Sequence, residues 1–137
     1  MINFLKGFIL FLWQLPQNIL GFLLELTNIT TLNHCSNYDT IKYLGDKGIS
    51  LGNFIIFDAD IKPRERDIQH EQGHQKQSLY LGWLYLPIII IPAFFGKWYD
   101  GLFHKKWTSV KREHWYYSQK WEKWADRLGG VQKVKEK

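Results

Sequence analysis

The chain has 137 residues, one cysteine and a formal charge of +5, a length that fits a single domain and is short for a multi-lobed protease. Cys35 alone excludes an intramolecular disulfide and a cysteine-rich zinc site, leaving histidines and carboxylates as the available metal ligands. The pI of about 9.3 admits nucleic acid. However, much of the basic charge follows residue 96 beside apolar stretches and seven tryptophans, which points to a membrane lipid interface and to no nucleic acid.

Residues 1–27 hold an apolar run from Phe8 to Trp13, a pause at Gln14-Leu15-Pro16-Gln17-Asn18, and a second run from Ile19 to Leu26. No small-residue cleavage site follows, and Pro16 breaks any simple span of about 20 apolar residues. The segment reads as two short helical pieces in or dipping into a membrane interface, with a buried amphipathic helix of a soluble domain as the other reading. Across 40–58, Thr40 to Leu44 alternates as a strand, Gly45 to Gly48 forms a turn, and Ile49 to Asp58 forms a second strand, so a β-hairpin is predicted. An edge strand beside a metal-binding helix can pair with a substrate backbone. The stretch from Asn53 to Phe57 is therefore a candidate rail, with Asn53, Phe54 and Ile55 as the substrate-binding residues.

A helix over 64–78 carries His70-Glu71-Gln72-Gly73-His74, a His-Glu-x-x-His pattern. Two histidines four apart on a helix share one face and can hold one zinc ion, while Glu71 is placed to act as general base on water. Residues 79–95 follow with no charge, interrupted by Pro87 and Pro92, and Lys97, Trp98 and Tyr99 suit an interfacial anchor. A long helix is predicted over 107–128, stopped by Gly129-Gly130, with a basic tail at 131–137.

Two histidines leave a zinc site incomplete. The last helix contains Glu122-Lys123-Trp124-Ala125-Asp126, with Glu122 and Asp126 one turn apart on one face. Glu122 can supply the third ligand, and Asp126 can accept the second ring N–H of a ligand histidine. HExGH followed downstream by ExxAD resembles the membrane-associated zinc metallopeptidases of the gluzincin kind, including the CAAX prenyl endopeptidase group. The resemblance implies Zn2+ as cofactor, His70, His74 and Glu122 as ligands, Glu71 as base and Asp126 behind a ligand. This chain is far shorter than those enzymes and lacks their several spanning helices, so the substrate class does not carry over. A competing third ligand is Asp100 in Tyr99-Asp100-Gly101, which resembles the later Asp-Gly of site-2 proteases.

A straight span at 79–95 would set the two halves of the site on opposite sides of about 30 Å of hydrocarbon. The segment is therefore predicted to fold back at Pro87 and Pro92 or to lie in the interface, giving a monotopic or re-entrant protein associated with a bacterial inner membrane. The predicted fold is α+β, mostly helical, with a zincin-like core in one minimal domain over 1–137. The predicted function is that of a zinc metalloendopeptidase acting on a peptide or protein substrate. His114, two turns before Glu122 with Tyr116 and Tyr117 nearby, is the candidate for steadying the oxyanion. The alternative is a non-enzymatic membrane-interface protein with structural zinc or none, and the oligomeric state stays open.

Overall fold

The computed structural model describes residues 2–42 and 47–132. Part of the turn expected at 45–48 and most of the basic tail lie outside the described residues. The fold is α+β and mostly helical, with one four-stranded sheet.

Helices α1 (Ile2–Trp13) and α2 (Leu15–Thr27) meet at 84°, with Pro16 in the first turn of α2. A proline there loses only an N–H that has no intrahelical partner. The face of α2 that turns inward is the polar one: Gln17, Asn18, Gly21 and Glu25 are buried, while Ile19, Phe22 and Leu26 are exposed. The buried amide and hydroxyl donors bond across elements. The Gln17 Nε2 group donates to Ser78 Oγ at 3.0 Å and to the Gly82 carbonyl at 2.8 Å, and the Ser78 hydroxyl donates to Gln14 Oε1 at 2.8 Å. Two indole N–H groups complete the attachment, Trp13 to the Leu79 carbonyl and Trp83 to the Leu12 carbonyl.

The sheet runs β1-β2-β4-β3, with β1 at Asn33–His34, β2 at Asp39–Ile41, β3 at Gly48–Leu51 and β4 at Phe54–Asp58. The stretch that reads as one long strand from Ile49 to Asp58 is itself a hairpin, β3 antiparallel to β4 about Gly52-Asn53. Gly52 makes this turn with φ of 61°, and a Cβ there would fall 2.2 Å from Asn18 Oδ1, so both backbone and space call for glycine. The predicted first strand instead runs parallel to β4 on its other side. The consequence reaches the proposed substrate rail, because β4 is interior and cannot offer a substrate a free edge. Asn53 sits in the turn, Phe54 is half-buried and Ile55 is buried. The edge beside α3, the helix that carries His70 and His74, is β3.

Helix α3 (Glu65–Leu81) starts with the Arg64 N–H donating to Asp67 Oδ2 at 3.0 Å, which serves one of the unpaired first-turn donors. It ends at Gly82, whose φ of 54° redirects the chain where a Cβ would strike the Trp13 indole at 2.3 Å. A 3-10 turn at Gly82–Leu84 and a π turn at Leu86–Ile90 then lead into α4 (Ile91–Phe103). The prolines therefore do not fold the chain back. Pro87 and Pro92 lie within one helical run, and the π turn absorbs the hydrogen-bond pattern that Pro92 interrupts. Leu86–Phe103 is long and apolar enough to cross a membrane, and 6% of it is buried in the fold.

The helix expected over 107–128 is two helices, α5 (Ser109–Tyr117) and α6 (Lys120–Gly129). Gln119 between them is extended at φ −63° and ψ 151°, and the Ser118 hydroxyl donates back to the Trp115 carbonyl at 2.6 Å. Gly130, with φ of 73°, closes α6 in the left-handed conformation.

Candidate metal centre

Two glycines set the centre. A Cβ on Gly73 of α3 would lie 1.9 Å from the Ala125 carbonyl oxygen, and one on Gly129 of α6 would lie 1.9 Å from that of Gln69. The backbones of α3 and α6 thus touch where side chains are smallest, and Ala125 is fully buried against this contact. One turn earlier on α6, Glu122 is delivered to the face of α3 that carries His70 and His74. The Gly in HEQGH and the Ala in EKWAD do this packing.

Glu122 Oε2 lies 3.0 Å from His70 Nε2 and 3.4 Å from His74 Nε2. A tetrahedral metal with bonds near 2.1 Å separates its ligands by about 3.4 Å. Glu122 Oε2 is buried and faces both ring Nε2 atoms, so the three atoms cluster in one small space. One candidate ligand atom from each of the three residues lies within 4.8 Å of the others. These buried residues could hold a metal ion.

The outer ring nitrogens fix the tautomers. His70 Nδ1 lies 2.7 Å from Asp126 Oδ1, a carboxylate that accepts. His74 Nδ1 lies 2.7 Å from Gln77 Oε1, and the Gln77 Nε2 group donates to the Trp121 carbonyl at 2.8 Å, which leaves Oε1 as the acceptor facing His74. In the neutral rings both Nε2 lone pairs then face the Glu122 carboxylate, a set of three acceptors that only a positive charge reconciles. The electrostatics agree. Burial raises the Glu122 carboxyl, but His70 and His74 beside it prevail and hold it well below the usual range. Burial lowers His70, yet Asp126 and Glu122 push it up to about 10.

Glu71, 8% exposed, has one carboxylate oxygen buried without a hydrogen-bond partner, and burial pushes its carboxyl up. It lines a cavity of about 490 Å³ together with His70, His74 and Glu122. Edge strand β3 forms one wall through Gly48, Ile49 and Ser50, and α4 forms another through Ala93, Phe94 and Trp98. Gly48 stands close to Glu71, since a Cβ there would sit 3.3 Å from Glu71 Oε1. Tyr116 and Tyr117 line the same space, and the Tyr117 ring packs edge-on against His70 at 5.3 Å. Burial first, and then the Glu122 carboxylate, push both phenols above their usual range, so they act as donors.

The structure thus brings together His70, Glu71, His74, Glu122 and Asp126. It separates the others. His114 is exposed and does not line the cavity, because the break at Ser118–Gln119 cancels the shared face that a continuous helix would give it with Glu122. Asp100 lies apart, with the Arg112 Nε donating to it at 2.9 Å and His104 Nδ1 at 2.9 Å. Asn53, Phe54 and Ile55 do not line the cavity. Gln77 and Tyr85 escaped the sequence reading. Gln77 carried a signal, three residues beyond His74 on one helix face, whereas Tyr85, whose hydroxyl donates to the Ser50 carbonyl at 3.0 Å, carried none. No family model, no curated protein and no solved structure matches the chain.

Proposed function

We propose that the chain is a zinc-dependent metallopeptidase of the gluzincin kind, working beside a membrane, with a zincin-like core made of α3, α6 and edge strand β3. One observation carries this reading: two histidine Nε2 atoms and a glutamate oxygen converge, their outer partners already committed, beside a buried glutamate with an unpaired oxygen in an open cavity. Among the described residues no fourth His, Cys, Asp or Glu joins the set, and an open position favours a catalytic over a structural site. Two imidazoles and one carboxylate are also a known zinc-peptidase donor set.

Zinc held there supplies Lewis acidity toward a carbonyl and acidifies water. Glu71 takes the proton of the attacking water and delivers it to the leaving nitrogen, a role its raised proton affinity suits. The Tyr116 and Tyr117 hydroxyls replace His114 as the donors available to a developing oxyanion. The substrate backbone pairs with β3 at Gly48, since the Ser50 carbonyl is engaged by Tyr85.

The test is zinc content together with cleavage. The purified chain is expected to carry one zinc, to cleave members of a peptide library, to stop on chelation and to recover with added zinc. Glu122→Ala is expected to lose the zinc. Unchanged zinc stoichiometry in that variant removes Glu122 as a ligand, and cleavage that survives chelation removes the metallopeptidase reading.

A further inference from the structure

The helix α2 is inside out for a protein in water. Its polar residues Gln17, Asn18 and Glu25 are buried against the fold, and its exposed face is Ile19, Leu20, Phe22, Leu23 and Leu26. The hydrophobic effect sends apolar side chains to the less aqueous side, so here the outside of the arm is the apolar phase. Helix α4 makes the same statement: it is apolar, none of its residues is buried, and Phe94 and Phe103 are 69% and 66% exposed. The two regions are joined. Trp13 of α1 and Trp83 are hydrogen-bonded across the junction, and Leu84, Ile88 and Ile91 continue the exposed apolar surface into α4.

The turn after α4 differs in charge. Lys105, Lys106 and Lys111 are exposed around Phe103, Trp107 and Val110, with the Lys111 ammonium 4.1 Å from the Trp107 ring. Aromatic and basic side chains at the end of an apolar surface suit the boundary between hydrocarbon and anionic headgroups. The same region argues against a crossing. Helices α5 and α6 pack back along α4, with Tyr99 stacked on Trp115 of α5 at 5.8 Å and Trp121 of α6 3.7 Å from the Cβ position of Gly96. If α4 spanned a bilayer, the Asp100–Arg112 ion pair and the start of α6 packed against Gly96 would be carried into the hydrocarbon with it. The 84° bend likewise denies α1 and α2 a single straight span.

We infer that α1, α2 and α4 form one docking surface for a single leaflet of an anionic phospholipid bilayer, with residues 103–111 as its headgroup-binding tip. Phe94 and Trp98 belong both to this surface and to the cavity wall, so the cavity opens beside the leaflet. The surface stands whether or not the metal centre hydrolyses peptides.

The test is flotation of the purified full chain with vesicles of phosphatidylcholine, alone or mixed with phosphatidylglycerol. The chain is expected to float with both and to partition more strongly onto the anionic vesicles, a preference that salt weakens. Lys105→Gln/Lys106→Gln/Lys111→Gln is expected to lower anionic partitioning on the order of a hundredfold, at roughly fivefold per charge removed, while Glu71→Gln floats like the wild type. In a Cys35→Ser background, Lys6→Cys and Lys105→Cys are expected to be labelled from the same side of sealed vesicles. Three outcomes overturn the inference: a chain that stays unbound, whether monomeric or as a dimer covering this face; partitioning indifferent to lipid charge; or labelling of the two positions from opposite sides.

Discussion

His70 and His74 are held by partners of different charge. A carboxylate, Asp126, accepts from His70, whereas a neutral amide, Gln77, accepts from His74. Removing the charge behind His70 is expected to weaken its lone pair, so Asp126→Asn should lower zinc affinity by about 10–100-fold, read by chelator competition; affinity unchanged in that variant would show that Asp126 does not support the ligand. The pH dependence follows from the same contacts. The ordinary His pKa of 6.5 is raised to about 10 at His70, so at pH 7 the metal-free ring carries a proton that zinc must displace. Zinc affinity should climb as pH rises toward 10, and calorimetry at pH 7 in buffers of different ionisation enthalpy should show at least about one proton released per zinc. Binding with no proton release contradicts the protonated pair. Without metal the sign is the reverse: the stabilisation from His70 and its carboxylates is fully present below pH 6.5 and is lost as pH rises through 10.

At the scale of elements, the contact between α3 and α6 decides where Glu122 stands. Gly73→Ala puts a methyl group 1.9 Å from the Ala125 carbonyl oxygen. A backbone atom cannot rotate away, so the helices must separate, at about 1–3 kcal/mol of stability. Thermal unfolding and zinc affinity are expected to fall together. Lost stability with full zinc affinity would mean that Glu122 reaches the metal by another route. This contact also marks what was legible in the sequence. The periodicity of α3 and α6 and the break at Pro16 are local signals, and the pairing of HEQGH with EKWAD was readable because each motif lies within one helix. The hairpin was misplaced because Gly52-Asn53 lies inside an apolar run that reads as one strand, and strand order depends on partners distant in sequence. The break at Ser118–Gln119 was unreadable for a related reason: no Gly or Pro marks it, and α5 must turn there to stay packed on α4. His114 was lost with it, and Asp100 and the β4 rail likewise failed on tertiary placement, not residue type.

Taken whole, the molecule holds a polar centre between α3 and α6 and flanks it with apolar helices, of which α2 turns its polar face inward. A metal that binds only the native fold stabilises it by mass action, by about 4 kcal/mol at a free concentration 1,000 times Kd. For a chain of this size zinc is therefore expected to raise Tm by roughly 10 °C, and chelation to reverse the gain. A Tm indifferent to zinc would mean that the centre does not bind it in the folded state. The proposed role of Glu71 as the base beside a zinc held by His70, His74 and Glu122 is read most directly from the turnover of Glu71→Gln at verified full zinc occupancy. One zinc per chain and a rate of peptide cleavage lower by about a thousandfold are expected; cleavage at the wild-type rate with zinc still bound would remove Glu71 as the base.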